Sequence, residues 1–355
     1  MPEAILDHTL DEMRMLAKDS GFPAFRGEQL YRWAISGANW KEMANIPVAL
    51  RTQMQEIFTL GGVKVFKMLC SALDRTVKYL FVLEDGNIIE SVFMRYDYGN
   101  TLCVSTQVGC RMGCRFCAST LEGRIRDLTA GEMLGQVVTA SRIARERGWV
   151  RTAQERPITN VVLMGSGEPL DNYDNTVRFL RLLKEKKGLG VSLRNVSLST
   201  CGLLKPLRRF TTEGLPVTLS LSLHAPEDSL RRRIMPSAAA NPLGEIIRAV
   251  KHYEKKTSRR VVFEYALMKG INDSTEQAEQ LARLIWGIRC HVNLIPLNPV
   301  AEWGVLGTPA QGIELFRKTL EDLGVSVTQR RSMGTDIQGA CGQLRRSVLG
   351  EDVKG

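Results

Sequence analysis

The chain has 355 residues, 44% hydrophobic and 24% charged, the balance of an ordinary globular protein with enough length for one large domain or two. Its longest apolar runs, such as 261–268, are too short to cross a bilayer, and its acidic, amphipathic N-terminus lacks a signal-peptide pattern, so a cytoplasmic protein with no membrane partner is expected. The net charge of +10 sits partly in the arginine clusters Arg208-Arg209, Arg231-Arg232-Arg233, Arg259-Arg260, Arg330-Arg331 and Arg345-Arg346, which fit either solvated faces or a polyanionic partner such as nucleic acid.

Residues 2–60 read as helical. Apolar residues recur at helical spacing over 6–17, a second segment runs from Arg26 to Ile35, and Pro47 opens a third toward Phe58. Gly61-Gly62 closes that block. Short β-like runs at 63–69, 77–83 and 88–94 then predict a small meander, so residues 1–95 are expected to form an accessory domain. Beyond it, strand-like runs recur at 101–108, 160–165, 196–200, 217–223, 261–268 and 291–297. Helical stretches such as Gly131–Arg147, Tyr173–Lys186 and Ser274–Ile285 separate them. Six βα units in series predict an α/β fold with a partial (β/α)6 barrel of the TIM type over 96–300, a doubly wound sheet being the runner-up. Residues 301–355 would be a C-terminal extension. Barrel chemistry collects at the C-terminal ends of strands, and the polar signals of this chain fall there: Cys110, the Gly165–Glu168 turn, Ser199-Thr200, His224 and Asn298.

Four of the eight cysteines lie between 103 and 117, which points to a metal or redox site rather than a disulfide framework. Cys110, Cys114 and Cys117 follow a strand in a loop where Gly109 and Gly113 permit a tight curl. Three thiolates can hold three corners of an iron–sulfur cubane and leave the fourth iron open. A structural zinc would want a fourth ligand, for which Cys103 inside the preceding strand is the nearest thiol.

The x3-then-x2 cysteine spacing, with Phe116 before the last cysteine, resembles the radical S-adenosylmethionine (SAM) superfamily, and Gly167-Glu168-Pro169 looks like its SAM-binding strand end. The tail GTDIQGACGQLRR (334–346), the N-terminal run 25–47 and the strand ends SLHAP and HVNLIPLNP are similar to the RlmN/Cfr methyltransferases, so the resemblance spans nearly the whole chain. It departs from the family at Ser166, Cys201, Gln338, Gly339 and 235–243, none of which is a named catalytic position. The resemblance implies a [4Fe–4S] cluster on Cys110, Cys114 and Cys117. It also implies a SAM pocket lined by Gly167, Glu168, Ser199, Ser222, Leu223, His224 and Asn298. Cys341 would carry the methyl group, Cys103 would pair with it in a transient disulfide, and Glu90 would accept a proton. The implied reaction is methylation of adenine carbon 2 in 23S rRNA, at the peptidyl-transferase centre, and in the tRNA anticodon loop, with two SAM per turnover and an external one-electron reductant such as flavodoxin. A Cfr-type enzyme acting on carbon 8, and a non-catalytic, metal-stabilised RNA-binding protein, are the competing readings.

From the residues alone, two of these roles stay open. Glu90 lies among Ile88, Val92 and Met94 on one strand face and suits either a general base or one end of a buried ion pair, the ion pair being favoured. Cys103 reads first as a small core residue.

Overall fold

The computed structural model describes residues 3–344 apart from 151 and 153, so Arg345 and Arg346 lie outside the described residues. One sheet of ten strands follows chain order: β1 (Lys64–Cys70), β2 (Thr76–Val82), β3 (Ile88–Tyr96), β4 (Gly99–Cys103), β5 (Asn160–Leu163), β6 (Val196–Thr200), β7 (Thr218–Ser222), β8 (Val261–Leu267), β9 (Cys290–Pro296) and β10 (Val327–Gln329). β1 to β3 pair antiparallel as the expected meander, β4, expected as the first barrel strand, joins β3 antiparallel as well, and β4 to β10 pair parallel. The meander is hydrogen-bonded to the first parallel strand, so accessory and barrel segments share one sheet.

The parallel order never reverses. A doubly wound sheet needs a reversal to place helices on both faces, and without one the crossovers curl the sheet toward a barrel. The structure therefore sides with the partial barrel over its runner-up. It also adds a strand, because β10 extends the parallel row past the six expected.

Three helices precede the sheet: α1 (Leu10–Asp19), α2 (Ala24–Ile35) and α3 (Val48–Ile57). Around the parallel half run α4 (Ala130–Glu146), α5 (Tyr173–Leu183), α6 (Leu204–Thr212), α7 (Asp228–Ile234), α8 (Leu243–Thr257), α9 (Thr275–Leu284) and α10 (Ala310–Asp322). Capping boxes begin α1 at Thr9 with Glu12 and α4 at Thr129 with Glu132. Asp7 ties the two regions together by accepting the Gly131 N–H at 2.5 Å and the Thr129 hydroxyl at 3.1 Å. No helix among the described residues is long and apolar enough to cross a membrane.

One expected strand breaks early. The run 101–108 leaves the sheet after Cys103; the Thr106 and Gln107 amides both turn to the Ser166 carbonyl, at 2.8 and 3.2 Å. Gln107–Gly109 then pairs with Arg124–Asp127 in a two-stranded ribbon. That ribbon clamps both ends of the cysteine loop and fixes where the loop projects.

Candidate active site

The ribbon closes tightly because of Gly109. Its φ is +74°, and a Cβ there would stand 2.0 Å from the Gly123 carbonyl oxygen, so only glycine lets the loop fold back. Gly113 also has positive φ, +72°, where the loop turns against Pro236. The result brings Cys110, Cys114 and Cys117 to one wall of a cavity of about 160 Å³, beside Met112 and Phe116. Burial raises all three thiols, Cys110 to about 12, and the negative charge of neighbouring thiolates adds to the effect at Cys110 and Cys114. Three soft thiols massed in an apolar wall are poorly matched to bare thiolate charge and well matched to iron. By its chemistry the donor set fits an iron–sulfur cubane, although among the described residues no three such side chains already stand in a metal-ligand arrangement.

The strand ends supply the opposite wall. Gly167 adopts φ +106°, and a Cβ on it would meet Gln107 N and Thr106 Oγ1 at 2.7 Å. That close approach lets Glu168 donate its N–H to Gln107 Oε1 at 2.9 Å and turn its carboxylate inward. Glu168 Oε1 accepts from Leu170 N at 3.0 Å and Oε2 from Cys201 N at 2.8 Å, while burial raises its carboxyl. Ser199 and Ser222 hydroxyls lie 3.2 Å apart across β6 and β7. His224 has φ +57°; its Nδ1 accepts the Ala266 N–H at 2.9 Å, its ring meets Phe116 edge-on at 4.8 Å, and burial lowers it to about 3. It therefore stays neutral. A carboxylate, two hydroxyls, a neutral imidazole and the Asn298 amide suit the amino, carboxylate and ribose groups of SAM.

Leu223 differs from the other predicted pocket residues. Its side chain is fully buried in the main core and does not line the cavity; its N–H bonds the Glu264 carbonyl at 3.1 Å. It can offer only backbone.

The predicted cysteine pair comes together across the fold. Cys341 lines the cluster cavity and also a smaller adjoining one, where Cys103 lies buried at the end of β4. Both are free thiols. Burial pushes Cys103 up to about 12, with Cys341 adding to the rise and Arg330 opposing it. Asn298 Nδ2 holds the Cys341 carbonyl at 3.1 Å, Ala118 N holds the Gly342 carbonyl at 2.7 Å, and Ser119 Oγ holds the Leu344 carbonyl at 2.7 Å. The C-terminal segment is thus fastened to the cysteine loop itself.

Glu90 stands apart from that group. It is buried and paired with Lys78 Nζ at 2.8 Å, and it lines a neighbouring cavity that shares Ser119, but not Cys341, with the cluster cavity. The ion-pair alternative is the observed one.

Three residues have places at the site that the sequence did not disclose, two of them, Arg330 and Arg231, named above only as members of arginine clusters. Glu264 projects from β8 into the cluster cavity, accepts Asn293 Nδ2 at 2.8 Å and is raised by burial. Its signal was available as a lone carboxylate in the apolar run 261–268. Arg330 follows β10 and lies 4.0 Å from Glu264, its charge held by Cys341 and Glu264. Arg231 is fully buried and donates to the carbonyls of Cys201, Ser222 and Leu223 at 2.6, 3.2 and 3.1 Å. Arg231 is interior and Arg330 half-buried, while Arg208 and Arg209 pair with Glu245 and Asp174, so the clusters are neither uniformly solvated faces nor uniformly free to bind a polyanion.

The radical SAM superfamily model matches residues 104–285. A Clostridium perfringens (strain 13) protein named as the dual-specificity RNA methyltransferase RlmN is 48% identical over 97% of both chains. A Thermoanaerobacter sp. (strain X514) protein of the same name is 45% identical over 97% of this chain and 98% of its own. A crystal structure of a radical SAM methyltransferase from Sphaerobacter thermophilus superposes with a TM-score of 0.92 at 42% identity, covering 97% of this chain and all of that one. The chain belongs to the RlmN family of radical SAM methyltransferases. Its cofactors are a [4Fe–4S] cluster and SAM.

Proposed function

We propose that this RlmN-family chain methylates carbon 2 of an adenine in 23S rRNA, at the peptidyl-transferase centre, and in the tRNA anticodon loop, working in the cytoplasm. The observation that carries the reading is the shared cavity of Cys103 and Cys341, joined through Cys341 to the cavity of the three cluster cysteines. Two free thiols far apart in sequence that line one cavity beside the three cluster cysteines are placed for one to carry a group and the other to release it.

Cys110, Cys114 and Cys117 would hold the cluster, and Glu168, Ser199, Ser222, His224, Asn298 and the backbones of Gly167 and Leu223 would hold SAM. Loaded in this way, the cavity supplies a one-electron cleavage of SAM that yields a 5′-deoxyadenosyl radical, the electron coming from a donor such as flavodoxin. Carbon 2 of adenine is electron-poor and does not attack a sulfonium methyl, so the methyl must first rest on a thiolate. Cys341 takes that role by displacement on one SAM. After hydrogen abstraction its methylene carbon would bond to carbon 2, joining the RNA to the protein as a radical adduct, whose odd electron would pass back to the oxidised cluster held by Cys110, Cys114 and Cys117. Glu90 then accepts the ring proton, reached through a rearrangement that draws it from its ion pair with Lys78. The Cys103 thiolate attacks the Cys341 sulfur and breaks its bond to the methylene carbon; that carbon leaves with the electron pair, delocalised into the ring, and takes a proton to become the methyl group, while the disulfide left behind is reset by a two-electron reductant.

The test is methylation of naked 23S rRNA and of tRNA by the anaerobically reconstituted chain. Nucleoside mass spectrometry and NMR should show 2-methyladenosine; 8-methyladenosine would move the assignment to Cfr-type chemistry. Cys103→Ala should trap RNA covalently on Cys341, and Cys341→Ala should abolish methylation. Methylation by Cys341→Ala would refute the relay.

A further inference from the structure

The cavity of Cys103 and Cys341 continues outward. Met94, Tyr96, Arg330 and Arg331 line both it and a larger groove of about 750 Å³. That volume is in the range of sites for organic ligands. The groove begins at the turn between β3 and β4, where the Tyr96 and Tyr98 rings stack at 4.8 Å with 8° between their planes. Tyr98 is 76% exposed, so the pair presents a rigid aromatic face to solvent. Exposed Arg194, just before β6, and exposed Arg331 flank it, and Arg330 stands at the inner end. Three arginines and one carboxylate, Asp97, line the groove, so the potential along it is positive.

An aromatic platform between guanidiniums is the chemistry that binds unpaired nucleotides. Every base offers a π-face to stack, and each phosphate takes an arginine. A duplex hides its base faces and cannot use the Tyr98 ring. Continuity sets the direction: past Arg330 the groove adjoins the small cavity of Cys103 and Cys341, about 30 Å³, which must widen for the target base to meet the Cys341 sulfur. We propose that this groove docks a single-stranded stretch of the substrate RNA, with a flanking base stacked on Tyr98 and phosphates on Arg194 and Arg331, while the target adenine passes Arg330 to Cys341. The inference rests on reading the chain as an RNA methyltransferase and adds where and in what form the RNA is held.

The experiment compares the reconstituted wild-type chain with Tyr98→Ala, Tyr98→Trp and the double variant Arg194→Ala/Arg331→Ala, with iron content and melting temperature checked for each. Binding of a short labelled single-stranded RNA containing the target adenine, and of the same sequence as a blunt duplex, is read by fluorescence anisotropy. Methylation of 23S rRNA gives KM and kcat. Tyr98→Ala should raise Kd for the single strand and KM by about tenfold, the effect of one lost stacked base, with kcat changed by less than about twofold. Tyr98→Trp should restore both. The double variant should flatten the dependence of log Kd on log salt by about 0.7 for each phosphate contact removed. The proposal fails if Tyr98→Ala binds as wild type does, or if duplex binds as tightly as single strand. If wild type methylates RNA and the variants match it, the groove assignment falls and the function stands. If wild type cleaves SAM but methylates no RNA, both fall.

Discussion

His224 holds a left-handed backbone, φ +57°, at the end of β7, and the Ala266 N–H occupies its Nδ1. Its imidazole protonates near 6.5 when unfolded and near 3 when folded, with burial as the main cause and the Arg231 charge adding to it. Between those values the unfolded chain binds the extra proton, so stability falls as pH drops below about 6.5 and levels off near 3. At pH 5 the loss from this one group is about 2 kcal/mol. His224→Asn suits the left-handed backbone, keeps an acceptor near Ala266 and removes the titration. Its melting temperature should therefore decline less than that of wild type between pH 7 and 5, and parallel curves would show that His224 does not titrate in this way. Gly167→Ala acts at the same scale through sterics. At φ +106°, with Gln107 N and Thr106 Oγ1 at 2.7 Å, the added methyl should cost about 2 kcal/mol or more and weaken SAM binding together with it, read by melting and by SAM titration. Residues of this kind divide by how local their cause is. Cys110, Cys114, Cys117 and Gly167-Glu168 were legible because one loop or one turn makes the site. Arg330 was not, since its role comes from Glu264, Cys103 and Cys341 on other elements.

Lys78 on β2 and Glu90 on β3 lie diagonally across an antiparallel pair, because Leu80 faces Glu90 and Lys78 faces Val92. Their ion pair is nearly inaccessible, 4% and 1% exposed at the side chains, and Lys78 Nζ also donates to the Gln338 carbonyl at 3.3 Å. The meander thereby grips the C-terminal segment, helped by Asp336, which accepts from Ser71 Oγ and Ala72 N at 2.8 Å each. Lys78→Met removes the ammonium from beside a buried carboxylate and should cost about 3–5 kcal/mol in urea denaturation. Adding Glu90→Leu should recover most of that stability; no recovery would show that the cost lies in the bond to Gln338 instead. The strands were legible because alternation, apolar runs and turn residues are local, and β1 to β9 fall close to where those signals lie. β10 was missed because a three-residue strand, Val327–Gln329, is too short to carry a period. The early end of β4 was missed because its cause, the Ser166 carbonyl, lies on another loop. The grip of the meander on residues 334–338 depends on tertiary placement that no pattern in either segment encodes.

At the scale of the molecule, the cysteine loop is where the most distant parts of the chain meet. Ala118 N bonds the Gly342 carbonyl at 2.7 Å, Ser119 Oγ bonds the Leu344 carbonyl at 2.7 Å, Trp303 Nε1 bonds the Cys117 carbonyl at 3.0 Å, and Arg115 N bonds the Ile234 carbonyl at 2.9 Å. These bonds couple the ordering of the loop to that of the C-terminal segment and the end of α7. A cluster that fixes the three cysteines stabilises only the arrangement in which they converge, and by linkage it stabilises whatever that arrangement is bonded to. Cluster loading should consequently slow amide exchange over 110–123 and over 338–344, on the order of tenfold, even though the latter contributes no ligand. α8, which shares none of these bonds, serves as the internal control. Anaerobic hydrogen-exchange mass spectrometry of loaded and iron-free chain measures this directly. Protection confined to 110–123 would mean that Cys341 is held independently of the cluster. Protection of both segments would mean that the thiol proposed to carry the methyl group is set in place by the same event that installs the radical source.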